Sequence, residues 1–191
     1  MNFGEMWRRV PDTRWLNKAH SLATDNFYRY SDLRSIINCR QSKRYHESYS
    51  GSPRVMAYVP SFNRVEYLLE RSLPSIINQT YSNIRIVVVD DGSTDGTSDK
   101  VKVKYGSQVE IHSIKRQKYR YPNKSIYHWY CGPVEAANYA LSICNEHWIA
   151  RIDDDDEWMP DHIERSLNYA IAHKLEFVSS IYKIIQTDSC G

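Results

Sequence analysis

The chain has 191 residues, 41% hydrophobic and 25% charged, enough for one domain with a sizeable core and ordinary for a globular protein. A formal net charge of +2 gives the molecule as a whole no pull toward polyanions, so nucleic acid is not an expected partner. Cys39, Cys131, Cys144 and Cys190 form no C-x-x-C pair, the histidines show no zinc spacing, and no apolar run is long enough to span a bilayer. The N-terminus does not read as a signal peptide, and the expected setting is cytoplasmic with reduced thiols.

Residues 1–53 are aromatic, basic and weakly periodic. Up to Arg54 there are ten lysines and arginines against five acidic residues, whereas the remainder carries an acidic excess. Such an extension offers a surface for peripheral membrane contact, although a solvated basic face is the simpler reading. Ser31–Ile37 predicts a short helix, and Ser48–Pro53 a linker. The body is expected over 54–191.

Val55–Val59 predicts a short strand stopped by Pro60, followed by a turn at Ser61–Arg64. Val65, Leu68, Leu69, Leu73, Ile76 and Ile77 then fall at helical spacing, with Asn63 or Ser61 as cap and Pro74 kinking or breaking the last turns. Asn78–Asn83 is the exit loop. Ile84–Val89 is a β-branched run, the pattern of a strand buried on both faces. It ends in Asp90-Asp-Gly-Ser-Thr-Asp-Gly-Thr97, a glycine-permitted turn with Ser93 or Thr94 to cap the next helix.

Val109–Ile114 predicts a third strand, and Lys115–Tyr130 a basic, tyrosine-rich loop. Gly132-Pro133 is expected to open a helix with Val134, Ala137, Ala140, Leu141 and Cys144 inward. A short buried strand at His147–Ala150 leads into Asp153-Asp-Asp-Asp156. Pro160–His173 predicts a helix with Ile163, Leu167, Ala170 and Ile171 inward, and Phe177–Tyr182 a last strand.

Strand alternates with helix, so the expected class is α/β with a mostly parallel sheet flanked by helices. Ligands of such sheets bind beyond the carboxyl ends of the strands. Three strand ends carry the polar residues: Pro60–Asn63, Asp90-Asp91 and Asp153–Asp156. Carboxylates this close repel one another, and a hard divalent cation shared with phosphate oxygens would relieve them. Taken alone, the run reads equally well as a solvated acidic turn. Asp91–Gly96 also matches the first half of a calcium-binding EF-hand loop. Its twelfth position, however, is Lys102 where a bidentate glutamate is needed. P-loop, dinucleotide and nucleophile-elbow motifs are absent.

Val59-Pro-Ser-Phe-Asn-Arg64, Ile76-Ile-Asn-Gln-Thr-Tyr-Ser-Asn83, Val87–Thr97 and Trp148–Pro160, in this order, resemble the nucleotide-sugar half of family-2 glycosyltransferases, which have the GT-A fold. The resemblance runs from about Val55 to Tyr182. It implies inverting transfer of a sugar from a UDP- or GDP-sugar to a glycan, lipid or protein acceptor, assisted by Mn²⁺ or Mg²⁺. It further implies that Pro60, Phe62 and Asn63 line the nucleotide site, that Asp91 accepts a hydrogen bond from the base, and that Asp90 supports the turn. Asp153 and Asp155 would be the metal carboxylates, with Asp153 also serving the ribose. Asp154 competes for the register. Arg116, Arg120 or Lys124 could add a clamp on the diphosphate.

Two departures stand out. Ala137 occupies the place of an arginine common in the family, and the acceptor-binding part that carries the general base is expected to be missing before Gly191. Loss of that base would cost roughly 10²–10⁴-fold in transfer without abolishing donor binding. The alternative is therefore a truncated or non-catalytic nucleotide-sugar-binding module. An open sheet edge also leaves room for pairing with a second copy.

Overall fold

The structure, a computed structural model, describes residues 30, 33–41, 51–116, 128–181, 183 and 184, excepting the side chains of 128–132. Arg120, Lys124, Tyr182 and most of the N-terminal extension lie outside these residues. The chain divides into two units, Met1–Ser50 and Gly51–Gly191. In the first, residues 33–40 are helical, where a short helix was expected.

The second unit is built on four strands, β1 (Val55–Ser61), β2 (Ile84–Asp90), β3 (Glu110–Ser113) and β4 (Trp148–Arg151), in the order β3-β2-β1-β4. Every pairing is parallel. The helices are α1 (α-helical Val65–Tyr67, a π-helical Leu68–Ser72 and α-helical Leu73–Ile77), α2 (Thr97–Tyr105), α3 (His128–Ile143) and α4 (His162–His173).

The period of two along the central strands splits the core into layers. Ala57 and Val59 of β1 and Ile86 and Val88 of β2 pack with Leu68, Leu73 and Ile76 of α1 and Val101 of α2. Met56, Tyr58, Val87 and Val89 face the other way, onto Ala136 and Ala140 of α3. Val55 packs with Ile163 and Leu167 of α4. A parallel sheet covered on both faces is what the β-branched run of β2 requires.

Several local expectations are corrected. β1 runs through Pro60 to Ser61. The Tyr58 carbonyl accepts from Ile152 N–H, so the Pro60 nitrogen two residues on points to the same side. There β4 has already ended, its last pairing being Tyr58 with Arg151, and no ladder bond is lost. Pro74 does not end α1. The wider π turn before it, with Leu73 N–H donating to the Leu68 carbonyl, carries the rod past the missing donor. α3 begins at His128, with Pro133 inside it rather than at its start. Ala140 is buried as expected, with Ala136 beside it and Ala137 and Cys144 packed against the same cluster, but Val134 and Leu141 are exposed, because small side chains let the helix approach the sheet. In α4, Ile163, Leu167 and Ala170 are buried as expected, but Ile171 is not.

β4 is half-buried and is one of the sheet's two edges among the described residues, β3 being the other. The expected strand at Phe177–Tyr182 is absent over 177–181, where Phe177 is 79% and Ile181 99% exposed. β-rich composition makes a strand only when it pairs with a neighbouring edge, and residues 177–181 pair with neither edge of this sheet.

One residue outside the expected caps starts two helices. Asp95 Oδ2 accepts from Val65 N–H at 3.0 Å, and its Oδ1 accepts from Thr97 N–H at 3.1 Å and from the Thr97 hydroxyl at 2.5 Å. Neither Ser61 nor Asn63 caps α1, and neither Ser93 nor Thr94 caps α2. Burial pushes the Asp95 carboxyl up, but bonds from Thr97 and Val65 outweigh it and hold its pKa below the ordinary value. Removing both caps with Asp95→Ala is expected to cost about 1–3 kcal/mol by urea unfolding at pH 7. Because the folded-state pKa is lowered, the difference from wild type should shrink as pH falls through it.

Candidate functional site

The parallel register brings the carboxyl ends of β1 and β2 level, with Ser61 opposite Asp90. Asp91 N–H donates to the Ser61 carbonyl at 2.9 Å, extending the pairing one residue into the loops. Asn63, in the left-handed region at φ 53°, donates its N–H to Ser93 Oγ at 2.9 Å. Its Oδ1 accepts from Thr94 N–H at 2.7 Å. Asparagine tolerates that conformation better than most residues, and here its side chain stitches the exit of β1 to that of β2.

Asp90 and Asp91 are both buried and do different things. Asp90 Oδ1 accepts from Ser93 N–H at 2.9 Å and Oδ2 from the Ser113 hydroxyl at 3.1 Å, so this side chain braces the turn against β3. Gly92, at φ 75°, lies so close to Ile114 and Arg116 that an added Cβ would meet three of their atoms at 3.3 Å. Asp91 Oδ2 accepts from Arg116 Nη1 at 2.6 Å. The same guanidinium lies over the Phe62 ring, 3.7 Å from its centroid. Phe62, Arg116 and Asp91 thus form one stack at the end of β1 and β2.

The third corner follows β4. The four aspartates occupy one turn, closed by Asp156 N–H donating to the Asp153 carbonyl at 3.2 Å. Their charges diverge. Asp153 is held by Arg151, with Nη2 and Nε at 2.7 and 3.2 Å from Oδ1. Asp154 turns inward beneath the end of β1 and is only 6% exposed. Asp155 points outward to Arg64, whose Nη1 is 2.5 Å from Asp155 Oδ2 and 3.5 Å from Asp154 Oδ1. The repulsion expected of four adjacent carboxylates is met here by two arginines, so that repulsion alone calls for no metal. Among the described residues, no group of three or more His, Cys, Asp and Glu side chains is arranged to hold one.

Burial raises the Asp154 pKa above the ordinary aspartate value, against the lowering influence of Ser61, Arg64 and the Phe62 N–H. Asp156 is raised too, by burial and then by Asp155 and Asp153. The Arg64 guanidinium is held more firmly protonated: burial opposes this, but Asp155 and Asp154 outweigh it.

The strand ends are therefore joined through residues 61–65. This loop is bonded to the exit of β2 by Ser61, Asn63 and Val65, and to the aspartate turn by Arg64. Pro60, Phe62, Asn63, Asp90 and Asp91 lie around the first two corners. Asp154 and Asp155 are tied to them, while Asp153 faces Arg151 instead.

Arg64, Arg151 and Asp95 had no role in the sequence reading, nor did Gln79. Gln79 Nε2 donates to the Met159 carbonyl at 2.7 Å, and its Oε1 accepts from Ile163 N–H at 2.9 Å. Thr80 N–H donates to the Pro160 carbonyl at 2.8 Å, and its hydroxyl to Glu164 at 2.6 Å. The loop after α1 thus anchors the chain leaving the aspartates and caps α4. The only sequence signal was the Asn78-Gln-Thr-Tyr81 string itself.

Fold and rim define a parallel α/β protein with an acidic, arginine-countered edge at its strand ends. Comparison with known proteins narrows the class. The model of the family described as Glycosyl transferase family 2 matches residues 57–189, more than half of the chain. The chain therefore belongs to glycosyl transferase family 2. It is 28% identical over 135 residues to the Escherichia coli UDP-Glc:alpha-D-GlcNAc-diphosphoundecaprenol beta-1,3-glucosyltransferase WfgD, covering 71% of this chain and 48% of that protein. It is also 28% identical over 136 residues to the putative teichuronic acid biosynthesis glycosyltransferase TuaG of Bacillus subtilis, covering 71% and 49%. The chain thus spans about half the length of these relatives. The crystal structure of S. aureus TarS 1–349 superposes with a TM-score of 0.52 at 21% identity, over 63% of this chain and 33% of that one. The fold is GT-A, and this chain corresponds to its N-terminal part.

Because the folded-state pKa of Asp154 is raised, its ionisation opposes folding above the ordinary aspartate pKa. Asp154→Asn is therefore expected to be more stable than wild type at pH 7 by urea unfolding, the gain fading as pH falls toward about 4.

Proposed function

We propose that the rim binds the donor of a metal-dependent, inverting glycosyltransferase, a UDP- or GDP-sugar. What supports this best is that residues 61–65 are tied at once to the exit of β2 and to the aspartate turn, which gathers a base-sized stack and a carboxylate pair at one edge. Pro60 and Phe62 would line the base, Asp91 would accept a hydrogen bond from it, and Asn63 and Asp90 would hold the two loops in place. Arg116 already stacks on Phe62 and would remain as a cationic wall beside base or phosphate. WfgD, by its name, uses UDP-Glc, which supports testing UDP first.

The turn also suits a divalent ion. Its donors are all carboxylate oxygens, and the place beside Asp155 already accommodates a positive charge, that of Arg64. Mn²⁺ or Mg²⁺ needs only one or two such ligands when a diphosphate supplies others. Asp155 and Asp153 would hold it. The inward aim of Asp154 supports a role as anchor of the turn rather than as ligand. A bound ion would stabilise the charge growing on the leaving diphosphate. The chain's own contribution is to orient the donor between the Phe62 stack and the aspartate turn.

The division at residues 53 and 54 belongs to this proposal, with 54–191 as the donor-binding domain. So do a glycan, lipid or protein acceptor and a cytoplasmic, membrane-peripheral site of action. Among the described residues no helix is long and apolar enough to cross a membrane. A second reading is donor binding without transfer: every residue given a role at the rim bears on the donor and none on an acceptor hydroxyl.

Calorimetric titration with UDP and GDP, with and without Mn²⁺, tests donor binding. Metal-dependent binding is expected, weakened roughly tenfold or more by Asp155→Ala and by Asp91→Ala. Failure of every nucleotide to bind with Mn²⁺ would overturn both readings. Sugar release from a bound donor would separate transferase from binding module.

A further inference from the structure

Arg64 stands where three constraints meet. Asn63 before it is clamped to Ser93 and Thr94, and Val65 after it is clamped to Asp95, so its backbone is held from both sides. Its side chain nevertheless remains half exposed, and so does that of Asp155. One nitrogen, Nη1, serves both Asp155 at 2.5 Å and Asp154 at 3.5 Å. The contact is thus a bridge from a single donor rather than the two-pronged fork that makes arginine–carboxylate pairs strong.

A divalent ion on Asp155 would sit about 2.0–2.2 Å from a carboxylate oxygen. A guanidinium nitrogen at 2.5 Å from one of those oxygens occupies the same approach, and the two cations repel. Metal arriving alone either displaces Arg64 from Oδ2 or takes the other oxygen beside it, and in both cases leaves a guanidinium facing a dication. Metal arriving with a diphosphate brings the anion that Arg64 would otherwise lack, and a guanidinium matches phosphate oxygens well.

We propose that Arg64 is a built-in counter-cation for Asp155 that a divalent ion displaces readily only in company with a nucleoside diphosphate, so that metal uptake at this rim is conditional on nucleotide. This deepens the donor-site reading and rests on it. Thermodynamically it is a coupling between two ligands, with metal and nucleotide each tightening the other, and couplings of this kind run to about 5–150-fold. Arg64 acts on the metal through Asp155 and is a positioning residue, not a catalytic one.

The test follows Mn²⁺ uptake by the signal of free Mn²⁺ in electron paramagnetic resonance, with the full chain, without and with saturating UDP. Wild type is expected to bind Mn²⁺ weakly alone and at least about fivefold more tightly with UDP. Arg64→Met should bind Mn²⁺ alone more tightly than wild type, and UDP should add much less. Arg64→Lys, which keeps the charge, should restore conditional uptake in part. If Arg64→Met fails to fold, Arg64→Gln carries the same expectation. Unchanged or weaker Mn²⁺ binding by the folded, uncharged variant, with normal UDP-dependent uptake by wild type, would overturn the role of Arg64 alone. No Mn²⁺ uptake by wild type with or without UDP would overturn the metal reading, and this proposal with it.

Discussion

The pairing of β1 with β2 on one side and β4 on the other sets everything at the rim. β1 runs level with β2 to its last residue and outruns β4 by three, so the loops leaving all three strands open toward the same end of the sheet. Parallel pairing makes this obligatory: every strand end that carries a polar loop is a carboxyl end, and all such ends lie on one side. The buried period-two core holds that register, because slipping by one residue would turn Ala57 and Val59 toward α3 and Met56 and Tyr58 toward α1.

Given that alignment, the chemistry of the rim is a balance of carboxylates and guanidiniums. Asp91 faces Arg116, Asp155 faces Arg64 and Asp153 faces Arg151. Asp154 shares Arg64 at a longer distance; it is buried with its pKa raised, and it is the part of the turn that fastens beneath β1. An edge whose carboxylates are partly countered by its own arginines needs no ligand to relieve the closest of their repulsions. Under the proposed donor reading, those arginine contacts would be exchanged for contacts with an anionic ligand and its counter-ion. Behind it, Gln79 and Thr80 hold the segment that follows the turn, so that α1 supports the rim at both its ends.

Much of this was legible in the residues. The alternation of element types, the buried face of α1 and the identity of the three polar corners come from hydrophobic period and composition, which act over a few residues and need no partner. The order of the four motifs carried the family. The failures share a cause. Pro60 was expected to stop β1, but whether a proline costs a ladder bond depends on what lies beside its nitrogen. Helical spacing placed Val134 and Leu141 inward along with Ala137, Ala140 and Cys144, yet those two are exposed and Ala136 joins Ala140 against the sheet. Residues 177–181 have strand composition but pair with neither edge of the sheet.

The amino-acid sequence by itself determined that this is a parallel α/β chain with acidic residues at its strand ends, and it displayed the motif order of its family. Only the tertiary structure decided which carboxylate does what. Asp95 became the cap of two helices, Asp154 an internal anchor and Asp155 the outward partner of Arg64, although all three are aspartates in short polar loops. Their difference lies in burial and in donors brought from up to ninety-one residues away. Such donors are set by strand register and loop closure, which no local window of sequence contains.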